Sequence, residues 1–205
     1  MLTVANLVFE RYFQPVFKPV GFELGAGELL VITGANGCGK TTLIRLLAGI
    51  LQPHAGSCQS SAGKTIYIGH QLAIKDELSV VENIRFMHAF HGSGAMSALD
   101  AARSVGLERV RHQPARTLSA GQRKRCALSR LLLSDANLWL LDEPYSNLDE
   151  DGIALVDRLL TQHLQIGGSC VLATHGGHRP AGLEARTFEI QPGAEDYDRD
   201  TEMKH

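Results

Sequence analysis

The sequence of 205 residues has no long apolar run. Its apolar runs, such as residues 29–32, are far shorter than the ~20 residues that a membrane-spanning helix needs. The first residues include Glu10 and Arg11 and no apolar core of a signal peptide. We therefore expect a soluble chain that does not itself cross a membrane and is not secreted.

Excess charge and paired cysteines are also missing. Lysine and arginine total 20 and acidic residues total 22, for a formal net charge of −2, so the sequence gives no reason to expect a nucleic acid or an anionic membrane surface as partner. The four cysteines are scattered, with no Cys-x-x-Cys pair. This pattern favours a reduced cytosolic protein without structural zinc.

Short apolar runs alternate with helical patterns along the chain, which predicts an α/β fold built on a mainly parallel sheet. Strands are expected at residues 4–9, 20–24, 29–32, 66–68, 138–141, 169–173 and 188–190. Helices are expected at residues 40–51, 120–133 and 153–164, and residues 72–117 look mainly helical. We assign residues 1–190 to one domain with a helical subdomain inserted at about 72–133, and residues 191–205 to a polar, disordered tail.

A glycine-rich motif of the form G-x-x-x-x-G-K-[ST] lies between the strand at 29–32 and the following helix. Glycines let backbone N–H groups approach phosphates, a lysine adds a positive charge, and a hydroxyl can bind Mg²⁺. A plain glycine turn is the alternative, but the preceding strand and the following helix favour phosphate binding. The predicted nucleotide-binding residues here are Gly34, Ala35, Asn36, Gly37, Cys38, Gly39, Lys40, Thr41 and Thr42.

Cys38 within this loop has two interpretations. A helix N-terminus could make it a redox-sensitive thiol. Alternatively, it is simply a small residue that fits the loop, and we favour this interpretation.

Polar residues at two further strand ends complete a candidate catalytic set. Asp142 and Glu143 follow the apolar strand at 138–141, where a parallel sheet places its ligands. We predict that Asp142 holds Mg²⁺ and that Glu143 is the base that polarises the attacking water. His175, after the strand at 169–173, is expected to donate a hydrogen bond to the γ-phosphate.

A second helix start can also receive an anion. Ser119 and Gln122 fit the capping box S-x-x-Q at the start of a basic helix, within the segment Leu-Ser-Ala-Gly-Gln. An ordinary capped helix would show the same pattern. One nucleotide needs only one phosphate loop, so the residues alone do not explain a second anion-binding helix start.

Taken together, these motifs resemble those of the ATP-binding subunits of ABC transporters, and the resemblance covers nearly the whole chain. It implies the P-loop NTPase fold of that family, with additional antiparallel strands near the N-terminus. It implies a homodimer in which Ser119, Gly121 and Gln122 of one subunit close on the ATP held by the other. Gln71 would sense Mg²⁺ and the catalytic water, and Asp149 would communicate across the dimer. The resemblance also places an adenine-stacking aromatic at Tyr12 or Phe13.

Within this family the chain looks most like the haem-exporter ATPases of cytochrome c biogenesis, because a histidine, His70, precedes Gln71 and residues 107–152 are similar throughout. The resemblance implies a peripheral protein on the cytoplasmic face of the bacterial inner membrane. It would act with a CcmB-like integral membrane permease, two copies of each, and drive haem export or release of a haem chaperone.

Three alternatives remain open. The chain could serve an ABC transporter for another cargo, since cargo is chosen mainly by the membrane subunit. A soluble ABC ATPase that acts on DNA or ribosomes, and a small-molecule kinase with a phosphate loop, fit the sequence less well. An ATPase that acts on DNA or ribosomes would be expected to have a basic surface, which the charge balance does not indicate. A kinase would give no role to residues 118–122.

Overall fold

The computed structural model describes residues 1–91, 96–174 and 180–193. The strands are β1 (Leu2–Val8), β2 (Glu10–Arg11), β3 (Gln14–Pro15), β4 (Val20–Leu24), β5 (Leu29–Thr33), β6 (Ala55–Ser60), β7 (Thr65–Ile68), β8 (Leu138–Asp142), β9 (Ser169–Ala173) and β10 (Arg186–Glu189). The α-helices are α1 (Lys40–Leu47), α2 (Val80–His91), α3 (Ala98–Ser104), α4 (Ala120–Leu133) and α5 (Glu150–Gln165). Two short 3₁₀ turns lie at Glu108–Val110 and Ala115–Thr117.

A five-stranded parallel sheet in the order β10-β5-β9-β8-β7 forms the centre of the fold. Strands β8 and β9 are buried along their whole length, as strands covered on both faces must be. Alternate side chains of these strands point into two separate apolar cores. One core contains α1 and the N-terminal strands, and the other contains α2, α4 and α5. The predicted α/β fold with a mainly parallel sheet is thus confirmed.

The N-terminal strands form a second, antiparallel sheet in the order β4-β1-β6. Strand β6 was not expected from the sequence, because its residues AGSCQS are polar or small and mostly exposed. Gly56 lies beside an irregularity in the β1–β6 pairing and has a φ of 80°. A Cβ at this position would lie 2.1 Å from the Asn6 carbonyl oxygen, so only glycine fits.

The first helix ends one turn earlier than its sequence pattern predicts. It stops at Leu47, where Ala48 forms the C-cap and Gly49 adopts a φ of 69°. The expected end near residue 51 is therefore wrong. The glycine ends the helix because it takes the left-handed conformation at no steric cost.

The segment before α2 is a loop rather than the start of a helix. The buried Asn83 side chain holds this loop, since its Nδ2 donates to the carbonyl oxygens of Lys75, Leu78 and Ser79 at 3.0–3.1 Å. Ser79 and Glu82 then begin the helix by hydrogen-bonding to each other. These side-chain bonds satisfy the loop backbone where a helix would otherwise have done so.

The end of the described chain packs against the segment that follows β3. Gln191 accepts a hydrogen bond from the Lys18 N–H at 3.0 Å, and Pro192 forms a bridge with Phe17. Most of the tail predicted from residue 191 onward, residues 194–205, lies outside the described residues. Within the described ranges, none of the helices is both long and apolar enough to span a membrane.

We predict that the buried side chains of the central sheet contribute strongly to the free energy of unfolding. Leu140→Ala removes a side chain that is 0% exposed in β8 and should lower the free energy of unfolding by about 2–5 kcal/mol. Equilibrium urea unfolding measures this loss. Leu99→Ala, at a position 45% exposed on α3, is the control and should change stability by less than about 1 kcal/mol. Equal effects of the two changes would contradict the assigned core.

Candidate functional site

The phosphate-binding motif forms the turn between β5 and α1, and two of its glycines are required by contact. Gly34 has a φ of 140°, and a Cβ there would lie 2.8 Å from both the Cys38 Sγ and the Ile190 carbonyl oxygen. Gly39 has a φ of 104°, and a Cβ there would lie 2.8 Å from side-chain atoms of Val16 and Phe17. The loop is therefore packed closely against its surroundings, which fixes the direction of its backbone N–H groups.

Lys40, the first residue of α1, folds back over the loop. Its Nζ donates to the carbonyl oxygens of Gly34 at 2.7 Å and Ala35 at 2.9 Å, and the residue is only 4% exposed. The Sγ of Cys38, which is also buried, lies 4.0 Å from the same nitrogen. The lysine charge is thus held at the mouth of the loop, next to the helix N-terminus that attracts anions. The enclosed Cys38 fits the interpretation of a small residue that fills space.

The residues predicted to bind Mg²⁺ lie together. Thr41 Oγ1 donates to Asp142 Oδ1 at 3.2 Å, which joins the start of α1 to the end of β8. Asp142 is 1% exposed, and its Oδ2 has no hydrogen-bond partner among the described residues. A buried carboxylate oxygen without a donor is costly unless a cation satisfies it. A hydroxyl and a carboxylate are ligands of the type that Mg²⁺ prefers, so these two residues fit the ion.

Glu143 follows Asp142 with an unusual backbone conformation. Its φ is 54°, which bulky residues rarely adopt, and the residue is half-buried. Its N–H donates to the Ala173 carbonyl oxygen at 2.9 Å, so the end of β8 is tied to the end of β9. The structure thus brings the two predicted acids to the carboxyl edge of the sheet, where ligands of such sheets bind.

Two other predicted residues are less closely defined. Gln71 is exposed and follows β7, the strand that pairs with β8, so it lies toward the same edge of the sheet as Asp142. No hydrogen bond joins Gln71 to the acids among the described contacts. His175 follows Thr174 in the sequence and lies outside the described residues. Their roles stay predictions.

Ser119 begins α4 with the predicted capping box. Its Oγ accepts from the Gln122 N–H at 3.2 Å, and the Gln122 Oε1 accepts from the Ser119 N–H at 3.0 Å. A Cβ on Gly121 would lie 2.8 Å from the Asn147 carbonyl oxygen, so this glycine allows a close approach of two segments. Both Ser119 and Gln122 line an open cleft of about 590 Å³.

This cleft is separate from the phosphate loop. The cavity at the loop, of about 260 Å³, shares no lining residue with the cleft at Ser119. Asp149 also lines the cleft, caps α5 through the Gly152 N–H, and forms an ion pair with Arg125. Hydrogen bonding to Arg125 lowers the pKa of the Asp149 carboxyl. A single chain therefore presents two helix starts, those of α1 and α4, that line different cavities.

Sequence reasoning missed two arginines at the phosphate loop. Arg11, from the β2–β3 hairpin, and Arg45, one turn into α1, line the loop cavity together with Lys40 and Thr41. Neither arginine forms an ion pair with a described residue. The signal available in the sequence was weak, because a lone arginine in a short polar segment has no motif. Val16 and Phe17, which follow the hairpin, pack closely on Gly39 of the loop.

The aromatic residues predicted to stack on adenine form the tip of the same hairpin. Tyr12 and Phe13 are 89% and 94% exposed. Both have positive φ angles, 53° and 62°, as the two central residues of a tight hairpin turn do. Their position next to Arg11 leaves both residues available to a ligand at the phosphate loop, and the choice between them stays open.

A further cleft, of about 430 Å³, lies at the opposite edge of the sheet, near the start of β8. Trp139 and His163 stack there with ring centroids 3.8 Å apart, and burial lowers the pKa of the histidine. None of the predicted site residues lines this cleft. The described acids of the predicted site, Asp142 and Glu143, lie instead at the carboxyl edge of the sheet.

Comparison with known proteins supports the same family throughout the chain. Residues 17–146 match the family model described as ABC transporter. The protein named "Cytochrome c biogenesis ATP-binding export protein CcmA" of Xanthomonas oryzae pv. oryzae is 43% identical, over 95% of each chain. The protein of the same name from Mesorhizobium japonicum is 44% identical, over 92% of this chain and 97% of the relative.

Solved structures show the same fold. One is an ATP-binding cassette described as a dimer in a post-hydrolysis state bound to ADP and phosphate. It matches with a TM-score of 0.81 and 23% identity, over 94% of this chain and 95% of the other. An ABC transporter ATP-binding protein from Pyrococcus furiosus matches with a TM-score of 0.78 and 22% identity, over 92% and 96% of the two chains. At these identities the likeness concerns the fold alone.

We predict that Arg11 contributes to ATP binding. Arg11→Ala removes a positive charge from the loop cavity and should raise the Kd for ATP by about fivefold, or roughly 1 kcal/mol. Titration with a fluorescent ATP analogue measures the change. Lys18→Ala, which removes an exposed charge nearby but outside the cavity, should leave the Kd within about twofold. Equal Kd values for the wild type and Arg11→Ala would exclude this role.

Proposed function

This chain belongs to the ABC transporter family, and we propose on that premise that it is the ATP-hydrolysing subunit of a haem exporter in cytochrome c biogenesis. The observation that carries the proposal is the identity of 43% over 95% of both chains to a protein named as a cytochrome c biogenesis ATP-binding export protein. Membership of the family accounts for nucleotide binding. The assignment to cytochrome c biogenesis is inferred from the names of the relatives. Residues at a nucleotide site do not contact a cargo and so do not identify it.

We assign the binding of ATP to the phosphate loop. The loop amides between Gly34 and Gly39 and the N-terminus of α1 would hold the phosphates, with Lys40 on the β- and γ-phosphates. This requires the Lys40 Nζ to exchange its bonds to the Gly34 and Ala35 carbonyl oxygens, at 2.7 and 2.9 Å, for phosphate oxygens. The exchange replaces neutral acceptors by charged ones, which favours the bound state.

The contact between Thr41 and Asp142 supports Mg²⁺ as the metal of this site. Held by these two residues, Mg²⁺ would neutralise charge on the β- and γ-phosphate oxygens. We assign to Glu143 the role of the base whose carboxylate accepts a proton from the attacking water. The water oxygen then bonds to the γ-phosphorus while the bond between the γ-phosphorus and the β–γ bridging oxygen breaks, which releases ADP and phosphate. Gln71 would orient the water, and His175 would donate a hydrogen bond to the γ-phosphate.

The separate cleft at Ser119 supports a homodimer as the active form. Ser119, Gly121 and Gln122 line or border a cavity distinct from that of the phosphate loop in the same chain. In a head-to-tail pair, the capped helix start of one subunit would face the γ-phosphate held by the other. A solved cassette of the same fold is described as a dimer bound to ADP and phosphate, which supports this arrangement.

We propose a peripheral location at the cytoplasmic face of the bacterial inner membrane, with two copies of the chain and two of a CcmB-like permease. The support is the export function in the names of the relatives and the lack, among the described helices, of one able to span a bilayer. ATP binding and hydrolysis would drive haem export or release of the haem chaperone through that permease.

We predict that Glu143→Gln separates binding from hydrolysis. The variant should lower the ATPase rate about 10²–10⁴-fold, because an amide cannot accept the proton. It should still bind ATP, and it should accumulate as a nucleotide-loaded dimer in size-exclusion chromatography. Glu184→Gln is the control, because Glu184 is exposed and is not a predicted site residue, and it should keep the wild-type rate. Hydrolysis by Glu143→Gln at the wild-type rate would exclude Glu143 as the base.

We also predict the partner. Affinity purification of the tagged full chain from detergent-solubilised membranes, followed by mass spectrometry, should recover a CcmB-like permease in equal amount. Recovery of a permease of another transport class would keep the ATPase but contradict the haem cargo. Recovery of nucleic acid or ribosomes without a membrane protein would contradict transport itself.

A further inference from the structure

A buried lysine of α4 hydrogen-bonds to the backbone of Glu143. Lys124 is 3% exposed, and its Nζ donates to the Glu143 carbonyl oxygen at 2.8 Å. Lysine is rarely buried to this extent unless it is paired. Burial lowers the pKa of Lys124 to about 8, while the nearby charges of Asp142 and Glu143 act in the opposite direction. The lysine therefore lies close to both acids of the site.

The backbone that this lysine contacts is in an unfavourable conformation. A φ of 54° at a residue with a long side chain persists only where its surroundings hold it. At Glu143 the carbonyl oxygen accepts from Lys124 and also from Ser146 Oγ at 2.9 Å, while the N–H donates to the Ala173 carbonyl oxygen. These bonds hold both peptide groups that flank the Glu143 side chain, and so they set the direction of the Cα–Cβ bond from which the carboxylate extends.

The same lysine lies where three functional segments meet. It lines a cavity of about 140 Å³ together with His70 and Leu72, which flank Gln71, and with Ser146 and Asn147. Arg130 on the same helix donates to the Leu72 carbonyl oxygen at 3.1 Å. Helix α4 therefore contacts the backbone beside Gln71 and the backbone of Glu143, and it begins at the Ser119 cap.

We propose that Lys124 is a positioning residue that holds the Glu143 backbone so that its carboxylate points at the attacking water. Through this bond the start of α4 in each subunit acts on the catalytic base of that same subunit. The inference rests on the proposed ATPase function and adds a residue that the motifs do not contain. It concerns orientation of the base and not binding of the nucleotide, so it predicts an effect on kcat without a matching effect on KM.

Replacement of the donor tests this inference. The variant is made in the full chain and measured in the assembly that hydrolyses ATP. Lys124→Met keeps an unbranched apolar side chain that is one atom shorter and removes the hydrogen bond. We expect kcat to fall about 10- to 100-fold, since small misplacement of a reacting group has effects of this size. KM and the Kd for ATP should change less than about threefold. Lys124→Gln retains a shorter donor and should recover part of the lost kcat.

A double-mutant cycle distinguishes positioning from general damage. If Lys124 acts through the Glu143 carboxylate, Lys124→Met should lower the residual rate of Glu143→Gln by less than about threefold. Lys64→Met, which removes a surface lysine paired with Asp135, is the control and should keep the wild-type kcat. Circular dichroism and the thermal midpoint verify that each variant is folded. If Lys124→Met does not fold, the comparison of Lys124→Gln with wild type decides.

Three results would overturn the inference while leaving the ATPase function intact: a wild-type kcat in the folded variant, equal losses in kcat and ATP binding, or full additivity with Glu143→Gln. Absence of ATP hydrolysis in the wild-type assembly itself would instead contradict the proposed function. The two failures are therefore distinguishable in one set of measurements.

Discussion

The contact between Thr41 and Asp142, at 3.2 Å, is the interaction on which the rest of the site depends. It joins residues 101 positions apart and exists because β5 and β8 run parallel on either side of β9. Parallel strands end at one edge of the sheet, so the phosphate loop after β5 and the acids after β8 must lie near each other. Burial of Asp142 then makes a cation the natural partner of its remaining oxygen.

The two apolar cores give this edge its rigidity. Alternate side chains of β8 and β9 enter opposite cores, so each strand is held from both faces and cannot rotate about its axis. One core carries α1 and the phosphate loop, while the other carries α4 and the Ser119 cap. The sheet between them therefore sets the spacing of the starts of α1 and α4. Their separation into different cavities follows from this layering and not from the local sequence at either helix.

The backbone at Glu143 is strained. The positive φ is unfavourable by about 1 kcal/mol or more for a residue with a Cβ. The surrounding bonds from Lys124, Ser146 and Ala173 offset that cost. The buried lysine itself carries a desolvation penalty, which is visible in its lowered pKa. Two unfavourable features thus meet at one peptide group, and such strain is common at functional sites.

The sequence by itself determined the elements that local patterns encode. The apolar strand Ser169–Ala173 and the helix Ala120–Leu133 were predicted with the observed bounds, and the capping box at Ser119 was confirmed. Polar β6 was missed because its pairing with β1, and not its composition, makes it a strand. The end of α1 was placed too late because Gly49 was not recognised as its stop. Only the tertiary structure brought Arg11 to the phosphate loop and Lys124 to the carbonyl of Glu143. Those contacts depend on packing between segments distant in sequence, which no local spacing of residue types records.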